Sequence, residues 1–129
     1  MLHGDVGLDR LLPLPLMGDG TARLASLLLA IGSAERGMVL IDEIENGLHH
    51  SAVDKVWRLI DDATRRFNVQ VFATTHSLEC VKSAYRAFSE TMDRPFRLHR
   101  LERSEESIRV ITYDWESFEG AMAGELEVR

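Results

Sequence analysis

Apolar and polar positions follow three different periods along this chain, and each change of period marks a new element. Residues 21–34 are apolar nearly all round, at Leu24, Ala25, Leu27, Leu28, Leu29 and Ile31, which predicts a helix buried on most sides. Met38-Val39-Leu40-Ile41 is an uninterrupted apolar run ending at Asp42, the pattern of a buried strand. Val53, Val56, Trp57, Ile60, Ala63 and Phe67 then recur at the spacing of one helical face, with Asp54, Arg58, Asp61 and Arg65 largely opposite. Ser51-Ala52-Val53-Asp54 reads as a capping-box-like start to that helix.

Val69 to Ala73, rich in branched and aromatic residues, predicts a second strand, and Ser77 is placed to cap a helix running to about Ser89, with Pro95 ending the segment. Phe96 to Leu101 and Ile108 to Tyr113 alternate and predict a terminal hairpin. Asp114 to about Leu126 reads as a final amphipathic helix. Ahead of all these, Pro13 and Pro15 make residues 8–17 an extended, edge-like approach, and Gly18-Asp19-Gly20 turns the chain into its first helix.

Helix, strand, helix, strand, helix, hairpin is the order of an α/β domain with a mainly parallel sheet flanked by helices. In such sheets ligands gather beyond the carboxyl ends of the strands. Asp42 and Glu43 at one strand end and His76 just past the other fall on that rim.

Composition bounds the picture without changing it. At 129 residues and 45% hydrophobic content, residues 1–129 are expected to form one domain. A net charge of −6 argues against a dedicated nucleic-acid surface. Arg97, Arg100 and Arg103 offer a basic patch, but solvated charge beside Glu102, Glu105 and Glu106 is the expected reading. A single cysteine, Cys80, excludes an internal disulfide, reads as packing, and fits a cytoplasmic protein. The longest apolar stretch, Leu24 to Ile31, is interrupted by Ser26 and far too short to span a membrane, and no signal-peptide pattern is read at the N-terminus.

Two adjacent carboxylates at a strand end can divide labour in nucleotide hydrolysis. Asp42 suits magnesium, a hard cation that prefers carboxylate oxygens and keeps its waters. Glu43 suits the attacking water, which it would orient or deprotonate. The competing reading is a strand end rimmed by acids that merely meet water. His76 could hydrogen-bond a terminal phosphate or the attacking water; alone, a histidine before a helix is more often a capping or surface residue. The Met17–Thr21 turn would aim free amides and a helix dipole outward as an anion site, or be only a glycine turn and cap. His49 and His50 are adjacent and seldom would converge on one ion, so no transition-metal site is expected. No activated nucleophile is evident either.

A triphosphate-cradling loop, G-x-x-x-x-G-K-[ST], is not found in the chain. Its two lysines, Lys55 and Lys82, follow Asp54 and Val81 inside helical patterns. The sequence thus carries machinery for hydrolysis without the nucleotide-binding loop.

Met17-Gly18-Asp19-Gly20-Thr21 leading a leucine-rich helix, then Val39-Leu40-Ile41-Asp42-Glu43-Ile44-Glu45-Asn46-Gly47-Leu48-His49, then Ala73-Thr74-Thr75-His76-Ser77, in this order, resemble the C-terminal half of an ABC-type ATPase domain. The closest flavour is the OLD-like (overcoming-lysogenization-defect) AAA ATP-binding proteins, related more distantly to SMC and RecF heads. The resemblance spans roughly residues 10–113. It implies a partial P-loop NTPase sheet with the Walker A strand missing, and ATP with Mg2+ sandwiched between two heads.

By the same resemblance, Gly18, Asp19, Gly20 and Thr21 belong to the signature segment that contacts a γ-phosphate held by the opposite subunit. Asp42 matches the magnesium aspartate of Walker B and Glu43 its catalytic glutamate. Asn46, in the segment Glu45 to Leu48, falls in the D-loop near the nucleotide, and His76 matches the catalytic switch histidine. Gly18 departs from transporter-like signatures, which carry serine there.

The resemblance implies an ATPase in the complete protein, with this chain inactive alone. Its partner would be a Walker A half or a second ATPase head, a homo-oligomer being expected; any DNA contact would run through other domains. The strand Val69 to Ala73 would then present an open apolar edge, to be closed by Phe96 to Leu101 or used in self-association. The rival function is a non-catalytic interaction module that pairs with an intact ATPase head. A third is a gene remnant without activity.

Overall fold

Gly18 enters the first long helix with φ 100° and ψ 149°, a left-handed corner that favours glycine. The computed structural model describes residues 3–5, 7, 12–13, 18–91, 96–104 and 107–124. The chain divides into two compact units, Met1–Thr75 and His76–Arg129.

In the first unit, β1 (His3–Gly4) pairs antiparallel with β2 (Leu12–Pro13), which carries one proline of the predicted extended approach. Pro15 and most of residues 8–17 lie outside the described residues. Then come α1 (Asp19–Ser33), β3 (Met38–Ile41), α2 (Val53–Phe67) and β4 (Gln70–Ala73). β3 and β4 are parallel, Met38 opposite Gln70 and Ile41 opposite Ala73.

Two left-handed corners set that register. Asn68 ends α2 at φ 51° and Arg36 sits at φ 58° just before β3. The Arg36 amide donates to the Phe67 carbonyl at 3.0 Å, and the Gln70 amide to the Gly37 carbonyl at 3.0 Å. The two strands therefore start level and also end level, which decides what meets beyond Ile41 and Ala73. A Cβ on Gly37 would lie 2.8 Å from the Ala34 carbonyl oxygen. Gly37→Ala is thus expected to cost about 1–3 kcal/mol, read as a lowered denaturant midpoint at constant m-value.

The core of this unit takes Leu27 and Ile31 from α1, Ile41 from β3, and Val53, Val56, Trp57 and Ile60 from α2. Burial of α1 is realised on one face only: Leu29 is 52% exposed. The same asymmetry holds for β3, where the predicted buried strand is open on one side. Met38, Leu40 and Phe72 share that face at 57%, 75% and 44% exposure. Helices cover one side of the strand pair, so alternate residues of each strand remain in water. The start of α2 also differs from expectation. Ser51 lies inside a 3₁₀ turn, His50–Ala52, whose cap is the His49 side chain, and α2 begins behind Ala52 without a side-chain cap.

In the second unit, α3 (Leu78–Ser89) is capped by Ser77, whose hydroxyl accepts from the Cys80 amide at 3.2 Å. Cys80 is buried, as a packing thiol should be. β5 (Leu98–Arg103) pairs antiparallel with β6 (Ile108–Tyr113), and α4 (Trp115–Ala123) follows. Phe118 is fully buried, its ring 5.5 Å edge-on from Tyr85 and 5.2 Å from Phe96. Asp114 caps α4; the Ser117 hydroxyl and amide bonded to its carboxyl hold it below the usual carboxylate range. That contribution is present at neutral pH and is lost as pH falls through the lowered value.

Among the described residues β5 pairs with β6 alone and β4 with β3 alone. Among the described residues Phe96 to Leu101 thus makes no ladder with β4: the strand it contributes to, Leu98–Arg103, pairs with β6. Arg100 lies on the half-buried hairpin face, 3.2 Å from Glu102, while Arg103 lies on the exposed one, so these two arginines do not share a face. No helix among the described residues is long and apolar enough to cross a membrane.

Candidate functional site

Because β3 and β4 end level, the residues just beyond them meet. The Thr74 amide donates to the Ile41 carbonyl at 2.9 Å, continuing the ladder by one step, and the Ile44 amide returns to the Thr74 carbonyl at 3.0 Å. Between these bonds the chain turns sharply: Glu43 adopts φ 46°, a left-handed backbone uncommon for a residue with a side chain. Asp42 and Glu43 are both exposed, while Ile44 is buried and anchors the turn.

The amino end of α1 approaches the same place. Its Thr21 and Ala22 amides are taken by the Gly18 carbonyl, at 3.1 and 3.2 Å. A Cβ on Gly20 would lie 3.5 Å from the Gly47 carbonyl oxygen, so the helix start adjoins the Glu45–Gly47 turn. One helical turn into α1, Arg23 donates Nη2 to the Asp42 carbonyl at 3.4 Å. Its Nε is buried without a hydrogen-bond partner.

These groups line an open cavity of about 550 Å³ that includes Asp19, Arg23, Asp42, Glu43, Asn46 and Gly47. Three carboxylates against one guanidinium leave it acidic. Bare phosphates would be repelled there, whereas phosphate carried with a divalent cation is compatible, the ion's own charge inverting the local balance. Among the described residues no group of three or more His, Cys, Asp and Glu could hold a metal by itself. A site of one or two carboxylates, completed by substrate phosphates and water, suits magnesium rather than zinc or calcium.

Of the residues singled out by sequence, Asp19, Asp42, Glu43 and Asn46 line this cavity, and Gly18, Gly20 and Thr21 form the adjoining helix start. Met17 lies outside the described residues. His76 is exposed, one residue before the Ser77 cap, and opens the second unit. His49 and His50 contact each other, ring centroids 4.1 Å apart, and neither lines the cavity. Sequence reasoning missed Arg23. Its signal was available: it is the one charged residue of the helix after Asp19, and four residues from Asp19 puts it on the same face.

A parallel strand pair ending in paired carboxylates, beside a glycine-led helix, gives the chain an α/β fold similar to that of an ATPase head. More particularly, the chain belongs to the family described as "AAA domain, putative AbiEii toxin, Type IV TA system", which matches residues 1–82. It is 36% identical over 77 residues to an ATP/GTP phosphatase of Helicobacter pylori, covering 54% of this chain and 20% of that protein. It is 34% identical over 65 residues to an uncharacterized protein of Methanocaldococcus jannaschii, covering 50% of this chain and 57% of that one. The chain therefore spans about a fifth and just over half of these two relatives. Among solved structures, an SMC ATPase studied for ATP-driven dimerization and DNA-stimulated activation matches with a TM-score of 0.57 at 17% identity. That match covers 95% of this chain and 70% of the other.

Proposed function

We propose that this chain is the C-terminal lobe of an OLD-like, ABC-type ATPase head. It would carry the hydrolytic half of the site and depend on a Walker A half for holding nucleotide. The observation that carries this reading is the convergence of Asp42, Glu43 and the α1 start on one acidic cavity. Bound magnesium–ATP would supply a polarised γ-phosphate and a cation to offset the charge of the carboxylates. Asp42 would hold the cation and Glu43 would orient or deprotonate the attacking water. Gly18 to Thr21 would present backbone to a γ-phosphate held by a second head, with Asn46 beside it at the dimer interface. His76, three residues past the end of β4, would contact the same phosphate. Heads would pair through this surface, as a homo-oligomer in the cytoplasm, and DNA would be reached only through other domains.

Asp42→Asn in the complete protein tests this directly. Magnesium-dependent phosphate release from ATP should fall on the order of 10²-fold or more, the scale of losing one preorganised charge contact in an active site. An unchanged rate removes Asp42 from the site.

A second reading is favoured by the open apolar face at Met38, Leu40 and Phe72, which would suit a non-catalytic module seated on an intact head. In that reading the chain lends only its signature segment. Gly20→Glu should then lower the intact head's ATPase rate in a mixture of the two, and a rate that does not move rejects it.

A further inference from the structure

Thr74 makes four hydrogen bonds around the β3 exit, two from its backbone and two from its side chain. The backbone pair, to Ile41 and Ile44, would form with any residue other than proline in this place. The side-chain pair is chemically selective. The Thr74 hydroxyl donates to the Asp42 carboxylate through Oδ1 and accepts from the Glu43 amide at 2.9 Å. A hydroxyl has one proton and two lone pairs, and an ionised carboxylate only accepts, so the direction of both bonds is fixed. No apolar side chain of this size can replace them.

We propose that Thr74 is a positioning residue for hydrolysis, and this inference rests on the nucleotide-hydrolysing reading above. Its hydroxyl confines the Asp42 carboxylate instead of letting it sweep an open cavity. Its lone pair holds the Glu43 amide and so supports the left-handed backbone at φ 46°. Sparsely populated conformations of this kind persist only where surrounding structure over-determines them. One side chain therefore aims two adjacent carboxylates into different roles. Arg23, on the Asp42 carbonyl at 3.4 Å, braces the same peptide from the opposite side.

The test compares wild type, Thr74→Val and Thr74→Ser in the complete protein. Three quantities are read: kcat and KM for ATP with magnesium, thermal midpoint, and hydrogen exchange of the peptide containing the Glu43 amide. Thr74→Val should lower kcat about 10- to 100-fold with KM changed less than about threefold, as expected when reacting groups are misplaced by an ångström or less. The Glu43 amide should exchange faster, and Thr74→Ser should restore both kcat and protection. Should the valine methyl against the carboxylate prevent folding, Thr74→Ala removes the hydroxyl without adding that contact and is read the same way. Wild-type kcat in a folded Val or Ala variant overturns the inference, as does a Ser variant no better than Val. A wild-type protein that hydrolyses no ATP overturns the nucleotide reading and this inference with it, a result separable from the others because it appears before any substitution is made.

Discussion

In the complete protein, Glu43→Gln should leave nucleotide binding intact while lowering ATP turnover by about 10²–10⁴-fold, the usual contribution of a positioned general base. Gln keeps the length of the side chain and its hydrogen-bonding reach and removes only the negative charge. The backbone at φ 46° is strained equally by either residue, and the amide keeps its bond to the Thr74 hydroxyl at 2.9 Å. Any loss of rate therefore reports chemistry rather than folding. Equilibrium titration with ATP and single-turnover phosphate release separate the two parts. Unchanged turnover would remove Glu43 from the mechanism.

A companion substitution has the opposite sign for stability. Glu43→Gly relieves a left-handed conformation that costs a residue with a Cβ roughly 1–2 kcal/mol. Extra freedom of glycine in the unfolded chain offsets part of that gain. Stability should hold or rise by up to about 1 kcal/mol while turnover is lost. A large fall in stability would mean that the Glu43 side chain, not its backbone, holds the turn.

The elements were legible because each is written in a local pattern. The six-membered apolar face from Val53 to Phe67 follows the helical period, and the run before Thr74 is short, branched and aromatic, as a strand is. Asp42 and Glu43 were legible for the same reason, as the first polar residues after a buried run. What could not be read was how much of each pattern finds a partner. Leu29, Leu40 and Phe72 satisfy the periodicity of buried residues yet lie exposed, because burial depends on a second layer and periodicity does not record whether one is present. Arg23 and the Thr74 clasp were hidden differently. Thr74 is thirty-two residues from Asp42, and their meeting follows from the level start of β3 and β4, which two left-handed corners at Arg36 and Asn68 impose. Neither corner carries the glycine that would have announced it.

The open strand face yields the second large effect, with opposite results in two contexts. Leu40 and Phe72 are paired across the parallel strands, and with Met38 they form one apolar face. Parallel sheets occur almost only with both faces covered, so such a face calls for a second layer. Under the function proposed above, that layer would be the remainder of the head, packing on the side of the strands opposite α1. The double substitution Leu40→Lys with Phe72→Glu keeps a complementary cross-strand pair but makes the face polar. In the 129-residue chain alone it should suppress self-association, seen as a monomeric sedimentation profile at concentrations where wild type forms larger species. In the complete protein it should forfeit about 1.5–3 kcal/mol of burial for each residue, roughly 3–6 kcal/mol together, before any cost of burying charge. That is a large part of the 5–15 kcal/mol that typically holds a protein folded, so the complete protein should melt many degrees lower or fail to accumulate. An unchanged melting temperature would mean that the rest of the head leaves this face in water. Unchanged self-association of the short chain would shift attention to the hairpin, whose outer face carries Leu101, Ile108 and Val110 at 63%, 69% and 57% exposure.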